Sequence, residues 1–177
     1  MQKYLDEFWN YLKVEKQFSQ NTLLAYRNDL SQFCDFLTEF NGKNVFENPI
    51  DLPSLDILTI RGFANYLHRL GLNKSSMGRK LAAVRTFSRF LCKRNYLDRN
   101  SAVLVPTPKL PKKLVEVLQP EEVTQLLESE SSGEAVDVRD LAIWELLYAT
   151  GLRVGELSNL KTKQINLRRN LINIVFS

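Results

Sequence analysis

The sequence predicts a mainly α-helical protein: a four-helix N-terminal bundle, a proline-rich connection, then the first part of an α+β unit. Three observations lead there. Apolar residues recur at helical spacing through most of the first 95 positions. Pro106, Pro108 and Pro111 crowd one short stretch, which denies helix. The β-branched run Leu171-Ile-Asn-Ile-Val-Phe176 reads as a strand near the end.

The elements follow in order. Leu5, Phe8, Trp9 and Leu12 fall at i, i+3, i+4 and i+7, predicting a first helix over Tyr4 to Glu15. Ser19 is a good N-cap for a second. Its stripe of Leu23, Tyr26, Leu30, Phe33, Leu37 and Phe40 runs to a stop at Asn41-Gly42. A loop with Pro49 and Pro53 follows. Thr59 is read as the cap of a third helix, Ile60 to Leu70, halted by Gly71. Ser75 or Ser76 is read as the cap of a fourth, reaching Asn95. Val103 to Lys113 reads as a stiff extended linker. It divides the chain into domains at 1–102 and 114–177, with 103–113 between them. Beyond it, Pro120 opens a helix with Glu121 and Glu122 in the first turn, where the macrodipole favours acids, and the helix ends near Glu130. The loop Ser131 to Val136 leads to a helix over Asp137 to Tyr148, and a short helix carries Arg153 to Leu160. The strand Leu171 to Phe176 is expected to lack a partner, which suggests that the sequence was cut from a longer parent.

Composition narrows the function classes. At 177 residues, 44% hydrophobic and 25% charged, the chain is an ordinary globular one with material for a core. Its opening, M-Q-K-Y-L-D-E-F-W, lacks the basic start and apolar run of a secretory signal. Leu141 to Leu152 is broken by Glu145 and is too short to span a bilayer. Cys34 and Cys92 lie in amphipathic patterns and read as packed free thiols of a cytoplasmic protein. Charge is segregated. Arg61 to Lys113 holds 13 Lys/Arg and one acid, Asp98, for a net +12; the remainder holds 11 bases and 19 acids, a net −8. Such a block suggests a polyanionic partner.

The helix S-M-G-R-K-L-A-A-V-R-T-F-S-R-F-L-C-K-R concentrates that charge. Met77, Leu81, Val84, Phe87 and Leu91 form one arc. Arg85, Arg89 and Lys93 recur at i, i+4 and i+8 opposite it, with Arg79 near the same side. Stacked like charges repel by a few tenths of a kcal/mol per pair, and the helix contains no acid to relieve them. A phosphate-facing role for Arg79 to Arg94, Lys80 included, accounts for the pattern.

Four blocks, in order, carry a family resemblance. Ser19-x-x-Thr22-x-x-x-Tyr26-x-x-Asp29-Leu30 resembles the first core-binding motif of the Xer-type tyrosine site-specific recombinases, the phage-integrase group. R-K-L-A-A-V-R-T-F-S-R-F-L resembles their long DNA-contacting helix. Asn100 to Lys113, with P-T-P-K-L-P-K, resembles the linker before their catalytic domain. A-T-G-L-R-V-G-E-L-S-N-L, residues 149–160, resembles their first catalytic-arginine motif.

The resemblance implies a SAM-like core-binding domain and the first, truncated part of a catalytic domain, together clamping duplex DNA. Thr22, Tyr26, Arg79, Lys80, Arg85, Arg89, Lys93, Arg94, Lys109 and Lys112 are the implied DNA-binding residues. The implied chemistry is strand exchange through a 3′-phosphotyrosine, in DNA integration, recombination and chromosome dimer resolution. It needs no metal and no small-molecule cofactor. Arg153 matches the arginine that binds the nonbridging phosphate oxygens, a task suited to a bidentate guanidinium. Glu156 matches a supporting acid one turn later. Partner recombinase subunits in the full-length form are implied, and no membrane.

The departures matter equally. The family's catalytic lysine, His-x-x-Arg box and nucleophilic tyrosine have no counterparts in these residues. His68 is the only histidine, and Tyr4, Tyr11, Tyr26, Tyr66, Tyr96 and Tyr148, all upstream of Arg153, read as packing residues. Two other readings therefore stand beside a recombinase: a DNA-binding regulatory protein without cleavage, and a helical module that meets an acidic protein.

Overall fold

The computed structural model describes residues 1–42, 55–109, 117–128 and 135–174. The chain forms two compact units, Met1–Lys112 and Lys113–Ser177. The expected Pro49–Pro53 loop, Lys112, the Ser131 end of the later loop, and Val175 and Phe176 lie outside the described residues.

The first unit comprises α1 (Gln2–Asn10), a π-turn (Tyr11–Glu15), α2 (Gln20–Asn41), α3 (Ile57–Arg69), α4 (Lys74–Lys93) and a 3₁₀ turn (Ser101–Leu104). Sequence logic explains most boundaries. The Ser19 hydroxyl accepts the Thr22 N–H, and Gly42 ends α2 in the left-handed region at φ 63°. Gly71, at φ 71°, ends α3. Two caps differ from expectation. Asp56, not Thr59, caps α3, and Asn73, not Ser75 or Ser76, caps α4. In each case an upstream carboxylate or amide oxygen reaches the third N–H of the helix at 2.8 Å. Thr59 and Ser76 are thus the donors at that third position.

Among the described residues the buried core lies in the first unit. Met77, Leu81, Val84, Phe87 and Leu91, the predicted apolar arc of α4, are all buried. Phe8 is fully enclosed and meets Phe87 at 5.2 Å and Phe90 at 5.3 Å between ring centroids. Phe33 meets Phe63 edge-on at 4.9 Å, joining α2 to α3. Edge-to-face pairs of this kind add about 0.5–1.5 kcal/mol beyond burial. Cys34 and Cys92 are free thiols, and burial pushes the Cys34 thiol up to about 12.

The second unit comprises α5 (Pro120–Leu127), α6 (Ala135–Thr150), α7 (Val154–Ser158), a 3₁₀ turn (Thr162–Gln164) and the strands β1 (Ile165–Asn166) and β2 (Leu171–Ile172). Pro120 occupies the first helical turn of α5, as expected. The lone strand is corrected. Leu171 and Ile172 pair antiparallel with Asn166 and Ile165. The partner lies upstream because Asn166 Oδ1 accepts the Arg169 N–H at 3.1 Å and Asn170 turns at φ 50°, closing a hairpin. That turn chemistry favours Asn at both points. No described residue of this unit is buried. Among the described residues no helix is long and apolar enough to cross a membrane.

Candidate nucleic-acid interface and arginine turn

Thr22 and Tyr26 lie one turn apart on α2, and Asp29 follows on the same face. This face packs against α4. Two grooves run along the seam. One, of about 400 Å³, is bounded by Thr22, Tyr26, Asp29, Arg79 and Ala82. The other, of about 590 Å³, is bounded by Tyr11, Lys16, Tyr26, Arg89 and Lys93. Tyr26 is the wall between them. Its ring is held by Phe18 at 5.9 Å and by Phe8 at 6.1 Å.

The structure therefore brings Thr22, Tyr26, Arg79, Arg89 and Lys93 onto one surface. The Arg89 side chain is exposed and bonds to no described residue. Lys93 lies 4.9 Å from the Tyr11 ring centre, and Lys16 reaches the same ring at 5.8 Å, so Tyr11 gathers two cations. Lys16 was not legible as a site residue. It precedes Gln17, whose φ of 51° follows the π-turn, and only that turn aims it here.

Other expected contacts are placed differently. Lys80 is buried, and its Nζ donates to Asp29 Oδ1 at 3.0 Å. Its position explains this: Met77, Lys80, Val84, Phe87 and Leu91 share one helical arc, so the ammonium points at α2. Arg85 is also spent inside the unit. It donates to the Ala102 carbonyl at 3.0 Å, the Val105 carbonyl at 2.5 Å and Thr107 Oγ1 at 2.6 Å. Ala102 and Val105 are buried, so the start of the proline-rich segment is docked against α4. Both residues were expected among the DNA contacts; the structure gives them protein partners instead.

Lys93 and Arg94 share Glu15, at 3.1 and 2.6 Å. The hydrogen bond from Lys93, with Arg94 adding to it, holds the Glu15 carboxyl below its ordinary value. Lys109 is exposed. The α4 helix itself lacks acids, yet the fold supplies two from elsewhere, Asp29 and Glu15.

In the second unit, α6 ends at Gly151, whose φ of 64° lies in the left-handed region that favours glycine. Its N–H closes on the Leu147 carbonyl at 2.9 Å. The chain then extends through Arg153, the N-cap of α7. Glu156 reaches back to accept the Arg153 N–H at 2.8 Å and Arg153 Nη1 at 3.0 Å. The backbone bond from Arg153, then its side chain, hold the Glu156 carboxyl below its ordinary value. Glu156 is thus bonded to both the backbone and the side chain of Arg153. The Arg153 side chain is 83% exposed, with most of its donors unspent. His68 is exposed on α3, and among the expected packing tyrosines Tyr148 departs, being 68% exposed.

Comparison with known proteins places these features. Residues 5–95 match the profile described as "Phage integrase, N-terminal SAM-like domain", and residues 116–177 match "Phage integrase family". The chain is 32% identical over 174 residues to the tyrosine recombinase XerD of Staphylococcus saprophyticus. It is 33% identical over 175 residues to that of Staphylococcus epidermidis, and 32% over 174 residues to that of Staphylococcus aureus. Each alignment covers 98% of this chain and 57% of the relative.

Proposed function

We propose, since this chain belongs to the phage integrase family, that its helical unit binds duplex DNA through the seam of α2 and α4. The observation that carries this is the convergence of Thr22, Tyr26, Arg79, Arg89 and Lys93 on one face, with Arg89 unpaired among the described residues. The division into a core-binding domain at 1–102, a linker at 103–113 and part of a catalytic domain at 114–177 belongs to the same reading. So does a place in the cytoplasm, where the DNA partner is found.

The chain spans 57% of the length of the curated relatives it matches, and the strand-exchange chemistry is likewise our proposal. Arg153 is the residue we assign to it. A guanidinium donates two parallel N–H bonds to a phosphate, and its charge stabilises the negative charge that grows on the nonbridging oxygens during transfer. Glu156 fixes the direction from which it approaches. Recombination and integration, with partner recombinase subunits, are the setting we infer.

Fluorescence anisotropy with labelled duplex DNA, titrated at several salt concentrations, tests the DNA reading. Neutralising Z phosphates gives a slope of about −0.9Z in log K against log salt. A flat salt dependence, or equal affinity for an acidic protein, would favour the helical interaction module instead.

A further inference from the structure

We propose that Asp29 is a positioning residue for DNA binding: a buried carboxylate that strengthens the hold on a polyanion by aiming Arg79 at one phosphate. The inference rests on the reading of the α2–α4 face as the DNA surface.

Asp29 is an odd residue to find there. Its side chain is 2% exposed, beneath a surface meant for phosphate. It carries two bonds, from Arg79 Nη1 at 2.5 Å and from Lys80 Nζ at 3.0 Å. The two cations differ. Lys80 is 10% exposed and closes the carboxylate from within, whereas Arg79 is 52% exposed and lines the groove with Thr22, Tyr26 and Ala82.

Lys80 offsets the charge of Asp29, so the trio retains one net positive charge, and that charge is on Arg79 at the surface. A guanidinium has five donors in a rigid plane. Anchoring one edge on Asp29 fixes the plane and leaves the remaining donors for an oxygen acceptor. An unanchored arginine gives up rotamer freedom when it is ordered; here the fold has ordered it in advance. The small side chain of Ala82 keeps the groove open to a phosphate and its deoxyribose.

Glu15 supplies the contrast. It also binds two cations of this face, Lys93 and Arg94, but its side chain is 41% exposed. A phosphate can take its place, with water receiving the carboxylate. Asp29 has no such exit. Burial therefore gives two acids on one face opposite effects: Glu15 competes with phosphate, and Asp29 prepares for it.

The test is one of sign, read by anisotropy on duplex DNA with the full chain. If charge alone governed, Asp29→Asn would remove a negative charge and tighten binding. The expected result is binding weakened about three- to tenfold, with a salt slope smaller by about 0.9, one phosphate contact. Glu15→Gln is expected to leave affinity unchanged or raise it. In an Arg79→Ala background, Asn at position 29 should change affinity by less than about twofold, because the carboxylate acts through that arginine.

Arg79→Lys keeps both the charge and Asp29, and so remains informative if Asp29→Asn fails to fold. It should weaken binding several-fold, since a point charge cannot hold Asp29 with one edge and a phosphate with the other. Asp29→Asn binding as tightly as wild type or tighter, or Arg79→Lys matching wild type, overturns the proposal while leaving the DNA reading intact. Absence of salt-dependent binding by wild type overturns both.

Discussion

Arg85 donates from Nε to the carbonyl of Ala102 at 3.0 Å, tying the segment after the bundle to the middle of α4. The bond is reciprocated nearby, since Asn100 Nδ2 donates to the Arg85 carbonyl at 3.1 Å. Gly78 sits beneath the same strap, where an added Cβ would lie 3.1 Å from Thr107 Cγ2. Arg85, one member of the cationic stripe, is therefore a structural clamp.

Arg85→Ala should accordingly destabilise the first unit without changing how it reads salt. Hydrogen bonds to charged groups contribute about 1.5–3 kcal/mol, so a loss on the order of 2 kcal/mol is expected. Thermal unfolding should show a Tm lower by several degrees. Limited proteolysis should now cut within Ser101 to Val105, whereas wild type is cut only beyond it. A variant as stable as wild type, with that segment still protected, would remove the clamp assignment.

Arg89→Ala combined with Lys93→Ala should do the reverse. Both side chains are exposed on the seam, so stability should change by less than about 0.5 kcal/mol. The salt slope should shrink by up to about 1.8, two phosphate contacts. Unchanged affinity and slope in the double variant would move the DNA surface away from this end of α4.

Glu156 predicts a pH signature at Arg153. Its folded carboxyl titrates below the ordinary value of 4.5 because the Arg153 backbone and side chain bond to the ionised form. A depressed folded-state value means stabilisation that is present above the unfolded value and lost as pH falls through the folded one. The Arg153 amide resonance should therefore hold steady from neutral pH to about 4.5 and shift only below it. In Glu156→Gln the same resonance should lack that transition. An amide that titrates at or above 4.5 in the native protein would contradict the reach-back bond.

A polypeptide limited to these 177 residues should form no covalent link to DNA. Phosphoryl transfer needs a nucleophile, proton transfer and charge stabilisation together, and losing members of such a unit is grossly non-additive. Arg153 supplies only the last. A nicked duplex that traps a phosphotyrosine would report otherwise: a protein–DNA band surviving denaturation would make one of the six tyrosines reactive, and Tyr148, the most exposed of those described, would be examined first.

The helices, the apolar arc of α4, the glycine stops at Gly42 and Gly71, and the arginine motif were legible in the sequence because each rests on neighbours within a turn or two. Spacing alone places Met77 through Leu91 on one side and puts Glu156 within reach of the Arg153 N–H. The upstream strand partner was missed because Ile165–Asn166 is too short to show a period. Only tertiary structure decided which cations of α4 remain for a ligand. Periodicity sets Lys80 on the apolar arc without showing its partner, and it does not separate Arg85 from Arg89 and Lys93. Their roles diverge because Asp29 arrives from 51 residues away and Ala102 from 17, closing on them from other elements. A charge is free or committed according to what packs over it, and helical periodicity shows only which side of the helix it faces.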